Sequence, residues 1–478
     1  MTSDASLAFA HVGDLGRLLR EGRTTAVALT TLALERLETI GRQLHAVVTT
    51  TPDIALAQAE RADADLAAGI DRGPLHGIPY GAKDLMATDR YPTTWGAAPF
   101  QEQVFARNAA VVARLEDAGA VLVAKLAMVE LAGGFGYEQP DAAFTGPGRN
   151  AWDGDRWAGG SSSGSGAAVA AGCVPLAVGS ETWGSIVVPA AYNGVAGLRP
   201  TYGLVSRCGA MALSWSLDKI GPLARSAADC ELALLAMAGP DAEDATTLHR
   251  PPFRPDPRRD GFRFATLAPA DIDAEPDVRE RYEDAIAVFQ QIGTIDEIAL
   301  PELPIDAATE VVLSVEAASV FEEFILAGGA AGLTAPEDRI GLIDALAIPA
   351  TDYVRALRIR RLAMRAMAAL LEPYDAVISP AHPCVATRLV EPVTEEPDTP
   401  VLRTMGGTAN LCGLPGISLP SGPGRDGLPT AVVLTGRVDA DATVLAAGIA
   451  FQELTAWHLQ RPPAWNDRSS FTSASDFD

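Results

Sequence analysis

Ala158-Gly159-Gly160-Ser161-Ser162-Ser163-Gly164-Ser165-Gly166, followed at a distance of 24 positions from Ser161 by Ser185 in Gly184-Ser185-Ile186, is the stretch on which the reading of this 478-residue chain turns. Hydroxyls set among glycines mark places where backbone comes close to something reactive. A scarcity elsewhere sharpens the point. Only three of the 37 cationic side chains are lysines, Lys83, Lys125 and Lys219. Arginine cannot release its proton in a protein, whereas a buried lysine can, so a chain that needs a neutral amine as a base must use lysine. Lys83 stands in Gly81-Ala82-Lys83-Asp84-Leu85 at the end of the apolar run Leu75 to Ala82, which reads as a short buried strand.

Outward from these two segments the pattern alternates helix and strand. Apolar positions at helical spacing (Leu15, Leu18, Leu19, then Val27, Leu29, Leu32, Leu34, Leu37) predict two helices between Val12 and Ile40, with Gly41 as a C-cap. An acidic, alanine-rich helix follows over about 54–68, then a helix over 109–118 and the strand Ala120 to Ala124, which ends at Lys125. Farther on, Phe262 to Leu267 reads as a strand, Val278 to Ile292 as a helix, and 307–371 as a helical segment broken at Pro349. Such alternation predicts an α/β sheet. The Pro- and Asp-rich stretch 239–260 reads as a surface excursion, and 466–478 as a flexible tail.

Composition narrows the function classes. A hydrophobic fraction of 48% with 6% aromatics describes an aliphatic core that folds without metals or disulfides. The net charge of −24 repels phosphate backbones and anionic lipid, so neither nucleic acid nor membrane is expected as a partner. Five cysteines without a C-x-x-C pair suit a reducing compartment, and the N-terminus shows no basic segment followed by an apolar one. A cytoplasmic location is expected. The six histidines lack ligand spacing, so no metal and no cofactor is expected.

Three chemical readings of the serine stretch compete. It is not a phosphate loop, because no G-x-x-x-x-G-K-[ST] is present. As a nucleophile elbow, Gly160-Ser161-Ser162-Ser163-Gly164 fits G-x-S-x-G, with His382 as partner, but Asp153 to Trp157 stand where the elbow needs an apolar strand. The third reading joins Lys83 with both serines. Gly81-Ala82-Lys83-Asp84, Gly159-Gly160-Ser161-Ser162, Gly184-Ser185-Ile186 with Pro189, Gly197-Leu198-Arg199-Pro200-Thr201, Asp218-Lys219-Ile220-Gly221-Pro222 and Asn410-Leu411-Cys412-Gly413-Leu414-Pro415 occur in that order. In this the chain resembles the amidase signature family, from about Leu15 to Trp457.

The resemblance implies a single α/β domain over 1–465, with a central mixed twisted sheet covered by helices on both faces and a helical substrate cap at about 305–371. It implies a catalytic triad of Ser185 as nucleophile, Ser161 as bridging serine after a cis Gly160–Ser161 peptide bond, and Lys83 as terminal base. An oxyanion would be held by the backbone N–H groups of Thr182, Trp183, Gly184 and Ser185. Ser180, Gly160 and Ser162 would support the site, with Ser180 bonding the serine pair or capping the turn. The chemistry needs this arrangement, because a serine hydroxyl is a poor nucleophile until a base removes its proton, and only a desolvated lysine can serve at neutral pH. Two positions depart from the family pattern of Asp and Gly: Glu181 and Trp183. Trp183 either lines the pocket or alters the donor cluster. Lys125 and Lys219 read as members of ion pairs, and Asp218 and Arg156 as structural.

The resemblance implies hydrolysis of carboxylic amides or carbamates, and Trp183 with the cap favours an arylamide or urethane substrate. The partners expected are a small-molecule amide or carbamate, in a monomer or homodimer. The alternative is the glutaminase subunit of a tRNA-dependent amidotransferase. Those members carry an acid about seven positions before Asn410, where this chain has Arg403. A third reading is a binding protein whose oxyanion hole Trp183 has closed.

Overall fold

The computed structural model describes residues 4–133, 140, 142–268, 272–390 and 405–465. Eleven strands among them form one sheet: β1 (Val47–Thr50), β2 (Pro79–Lys83), β3 (Val121–Leu126), β4 (Leu176–Glu181), β5 (Ala196–Arg199), β6 (Lys219–Ala224), β7 (Phe262–Leu267), β8 (Gly293–Ile298), β9 (Ala376–Pro380), β10 (Gly416–Pro423) and β11 (Pro429–Thr435). Their spatial order is β1-β3-β2-β4-β6-β5-β10-β11-β9-β7-β8. β2 runs parallel to β3 and β4, and β7 to β8 and β9, while the middle of the sheet from β4 to β9 is antiparallel. Every residue of β2, β3, β4, β5, β6, β9 and β11 is buried, so these strands are covered on both faces, as a mixed α/β architecture requires.

The helices fall close to where the apolar spacing places them: Val12–Arg20, Ala26–Arg36, Pro52–Ala67, Ala110–Asp117 and Pro276–Phe289. Gly41 closes a π-helical turn, Leu37–Gly41, that extends the second helix. The segment expected to be helical over 307–371 holds Ile305–Val320, Glu322–Leu326, Pro336–Ala345 and Ala350–Leu371, with Pro349 at the N-cap of the last. No helix among the described residues is long and apolar enough to cross a membrane. The segment 466–478 lies outside the described residues.

The glycine- and serine-rich stretch becomes the helix Ser163–Ala170, buried at all eight positions. Its small residues follow from how closely it is packed. A Cβ at Gly164 would stand 2.3 Å from the Ala46 carbonyl oxygen and 2.6 Å from the Ala127 nitrogen. Only glycine fits there. The helix thereby fixes its own N-terminus, Ser161 and Ser162, against the ends of β2 and β4.

Candidate active site

Lys83 is the last residue of β2, and its parallel neighbour β4 carries Ser180 one residue before the strand ends. The Lys83 side chain is fully buried. Its Nζ donates to Ser161 Oγ at 2.8 Å and to Ser180 Oγ at 3.0 Å, with the Ser180 carbonyl oxygen at 3.4 Å. Burial pushes the amine from 10.5 down to about 7, only partly opposed by the charges of Asp218 and Glu181. The Gly160–Ser161 peptide bond is cis. Ser162, at the helix N-cap, turns its hydroxyl to the Ser180 carbonyl at 3.2 Å, and its N–H donates to the Ser185 carbonyl at 3.2 Å, which draws the two serine loops together. Ser180 thus bonds Lys83 and Ser162 rather than Ser161 or Ser185. Among the described residues no hydrogen bond joins the hydroxyls of Ser161 and Ser185.

Ser185 lies on the turn between β4 and the helix Val187–Asn193. Glu181 organises this turn from a fully buried position. Its Oε2 accepts the N–H groups of Ile186 and Val187 at 2.9 and 3.0 Å, and its Oε1 accepts from Arg199 at 2.8 Å and from Asn410 at 2.9 Å. Burial alone would raise this carboxyl, but Arg199, Lys219 and the backbone donor of Val187 hold it down to about 2. The N–H groups of Trp183, Gly184 and Ser185 bond to no acceptor of the described residues. Thr182 is held by its hydroxyl, which donates to Asp218 at 2.6 Å, while Asp218 also accepts from the N–H groups of Leu213 and Ser214. The positive φ of the turn falls on Gly184 (+86°) and not on Trp183, so the loop takes tryptophan without backbone strain. The indole is 37% exposed, and a Cβ at Gly407 would meet it at 3.3 Å.

The other candidates separate cleanly. Lys125 pairs with Asp84 at 2.9 Å, both fully buried. Lys219 does not form the ion pair expected of it; its amine donates to the Leu217 carbonyl. Arg156 is structural, bonded to Asp153, Asp426 and the Ala386 carbonyl. His382 faces Tyr192 and Cys384, and burial lowers it to about 4; Ser162 bonds elsewhere, so no elbow triad exists. Among the described residues no cluster of His, Cys, Asp or Glu could hold a metal ion.

A cavity of about 400 Å³ opens beside these groups, bounded on the inner side by Ser180, Thr182, Asp218, Leu85 and Ala132. Its size suits a small molecule. The outer wall comes from Arg207, Met211, Trp215, Asp244 and Thr246. The stretch 239–260, read from its composition as a surface excursion, therefore reaches the cavity. The Asp244 carboxylate locks Arg207 in place through two guanidinium contacts of 3.2 Å.

A buried lysine amine bonded to the hydroxyls of Ser161 and Ser180, beside Ser185 on a turn whose N–H groups are unengaged among the described residues, suits the class of C–N bond hydrolases. Residues 28–445 match the Amidase family profile, and the chain belongs to that family. It is 36% identical over 94% of its length, and 97% of the relative's, to a glutamyl-tRNA(Gln) amidotransferase subunit of Symbiobacterium thermophilum. Relatives of the same name from Azoarcus sp. and Thermosynechococcus vestitus are 36% and 34% identical, over 95% and 94% of this chain and 99% of each of theirs. A solved structure described as an unexpected vestigial protein complex that reveals the evolutionary origins of an s-triazine catabolic enzyme superposes with a TM-score of 0.86 at 31% identity, covering 93% of this chain and 98% of that one. The native peptide amidase of Stenotrophomonas maltophilia superposes at 0.81 with 30% identity, over 96% and 99%.

These relatives correct one expectation. A stand-alone monomer or homodimer, meeting only a small amide or carbamate and no nucleic acid, does not fit a chain whose relatives are named for one subunit of a glutamyl-tRNA(Gln) amidotransferase. The error was physical: a net charge of −24 describes the average surface, while partners are met by local patches. Arg403, where the glutaminase subunits carry an acid, lies outside the described residues.

Proposed function

We propose that this chain is the amide-hydrolysing subunit of a tRNA-dependent amidotransferase-type assembly, releasing ammonia from the side-chain carboxamide of glutamine. The observation that carries this reading is the 36% identity over 94% of the chain to a subunit of that name. The site supports the chemistry. Ser185 Oγ attacks the carboxamide carbon as its proton passes to Ser161, whose own proton passes to the neutral Lys83 amine. The relay requires the Ser185 hydroxyl to bond Ser161 as the substrate is attacked. The N–H groups of Trp183, Gly184 and Ser185, with that of Thr182, hold the developing oxyanion, a contribution of roughly 3–4 kcal/mol for a single donor. The proton then returns from Lys83 to the departing nitrogen, ammonia leaves, and the ester on Ser185 is opened by water to give glutamate.

A second reading, hydrolysis of arylamides or carbamates by the same steps, is supported by the half-exposed indole of Trp183 on the catalytic turn, which offers a flat group a stacking face. Ammonia and aniline release decide between them. The purified chain is assayed with glutamine, anilides and aryl carbamates, alone and with the remaining subunits of a glutamyl-tRNA(Gln) amidotransferase and its charged tRNA. The first reading expects glutamine turnover that rises when those components are added. Turnover of aryl substrates that ignores them, with glutamine untouched, overturns it in favour of the second.

A further inference from the structure

A pair of buried acids beside the cavity takes no part in the serine–lysine chemistry. Glu130, in the loop after β3, is fully buried, and Asp338, in the first turn of the helix Pro336–Ala345, is 1% exposed. Glu130 spans the entry to that helix: its Oε2 accepts the Thr334 N–H at 2.8 Å and its Oε1 the Ala335 N–H at 2.7 Å. Neither oxygen of Asp338 receives a bond from an N–H or hydroxyl of the described residues, and the group facing it is the Glu130 carboxyl. Two carboxylates in contact away from water do not both stay ionised.

Among the described residues the charges that act on Asp338 are negative, Glu130 across the contact and Glu337 beside it on the helix. The turn packed below, 329–332, is Gly-Ala-Ala-Gly. No charge from the neighbouring helix Ile305–Val320 acts on it. The Arg339 guanidinium is engaged with the carbonyls of Leu333 and Thr334. Among the described residues no cation is paired with Asp338, so a proton is the positive charge that relieves the contact.

Glu130 also begins an unusual stretch of backbone. Leu131, Ala132 and Gly133 hold φ values of +48°, +64° and +70°, and Ala132 lines the cavity. We propose that Glu130 and Asp338 share one proton and, as a protonated pair joining the 131–133 loop to the cap helix, act as positioning residues that set the shape of the substrate cavity. This rests on that cavity being the one the amide enters. Burial and the facing Glu130 push Asp338 up to about 8. An acid whose folded value is raised stays neutral in the folded chain, so the pair persists below about 8 and is lost as pH rises through it. Neither acid is bonded to Lys83 or to a serine side chain, and the nearest link is Val129, whose N–H donates to the Ser161 carbonyl at 3.1 Å; the effect expected is on KM, with kcat changed little.

The test compares wild type with Asp338→Asn, which still donates to Glu130 but cannot ionise. For the wild type, KM for the turned-over amide is expected to rise by about tenfold per pH unit above 8 at constant kcat, while Asp338→Asn keeps its low KM. Equal KM rises in the two proteins overturn the proposal. A readout independent of activity keeps it separate from the functional reading: the melting temperature of the wild type should fall from about pH 6 to about pH 9 relative to Asp338→Asn, and parallel curves overturn the pairing even if no substrate is found. Should the variant not fold, infrared spectra of the wild type decide, since a protonated-carboxyl band must be lost between about pH 7 and about pH 9.

Discussion

Replacing Lys83 by methionine removes the base while keeping the length of the side chain, and the structure sets the size of both consequences. With its value lowered from 10.5 to about 7, half of the Lys83 amine is neutral at pH 7, against about one part in 3,000 for an ordinary lysine. Loss of a general base of this kind lowers kcat by about 10²–10⁴. In the wild type, kcat/KM should climb with pH and level off above about 7. Stability moves the other way. The shift corresponds to roughly 5 kcal/mol of strain on the charged form. A lysine depressed in the folded state imposes that cost fully below its folded value, and the cost fades as pH rises to the unfolded value near 10.5. Methionine forfeits the bonds to Ser161 and Ser180, about 1 kcal/mol each. The net gain at pH 6 is thus about 3 kcal/mol, or about 3 °C in melting temperature for a chain of this length. Calorimetry at about pH 6 and about pH 10, beside kcat on the same preparations, makes the check. A variant that retains turnover, or that is no more stable than wild type at the lower pH, refutes the reasoning.

Three further outcomes follow from the same geometry. A fluorophosphonate should label the wild type and not Ser185→Ala; an unlabelled wild type would instead favour a binding protein with a closed oxyanion hole. Glu181→Gln should lose about 3–5 kcal/mol in a denaturant titration, because Arg199 is left as an unpaired buried charge, and should lower kcat more than KM, with Glu181→Asp recovering part of both. Since that carboxyl is held down to about 2, its contribution to stability is present above the unfolded value near 4.5 and is lost as pH falls toward 2, which an acid titration of the variant against wild type will show. His382→Ala should leave turnover unchanged, and its abolition would restore the elbow reading.

The relation between Lys83 and Ser161 was legible through the family resemblance carried by Gly81-Ala82-Lys83-Asp84 and Gly159-Gly160-Ser161-Ser162, while the rarity of lysine alone pointed only to Lys83. β7 was readable to the residue because its β-prone run lies between the breakers Gly261 and Pro269. Less was readable where charge and burial part company. Glu130 and Asp338 look like surface acids in a chain this acidic, and nothing in their spacing says that each faces inward. The reach of 243–246 into the cavity escaped for a similar reason: Pro and Asp report a turn, not the side of the molecule on which it lies. Lys219, expected to pair with a neighbouring acid, instead donates to the Leu217 carbonyl, a backbone partner that no side-chain pattern announces.

Two buried amines stand near the ends of the paired strands β2 and β3, Lys125 opposite Ala82 in the register, and the fold gives an ion pair to only one of them. Lys125 is neutralised by Asp84, and Lys83, one residue before that same aspartate, is left facing alcohols. What sets the two lysines apart is thus whether a carboxylate stands within bonding distance: a paired amine keeps its charge as part of the scaffold, and an unpaired one in the same dry interior is free to give its proton up.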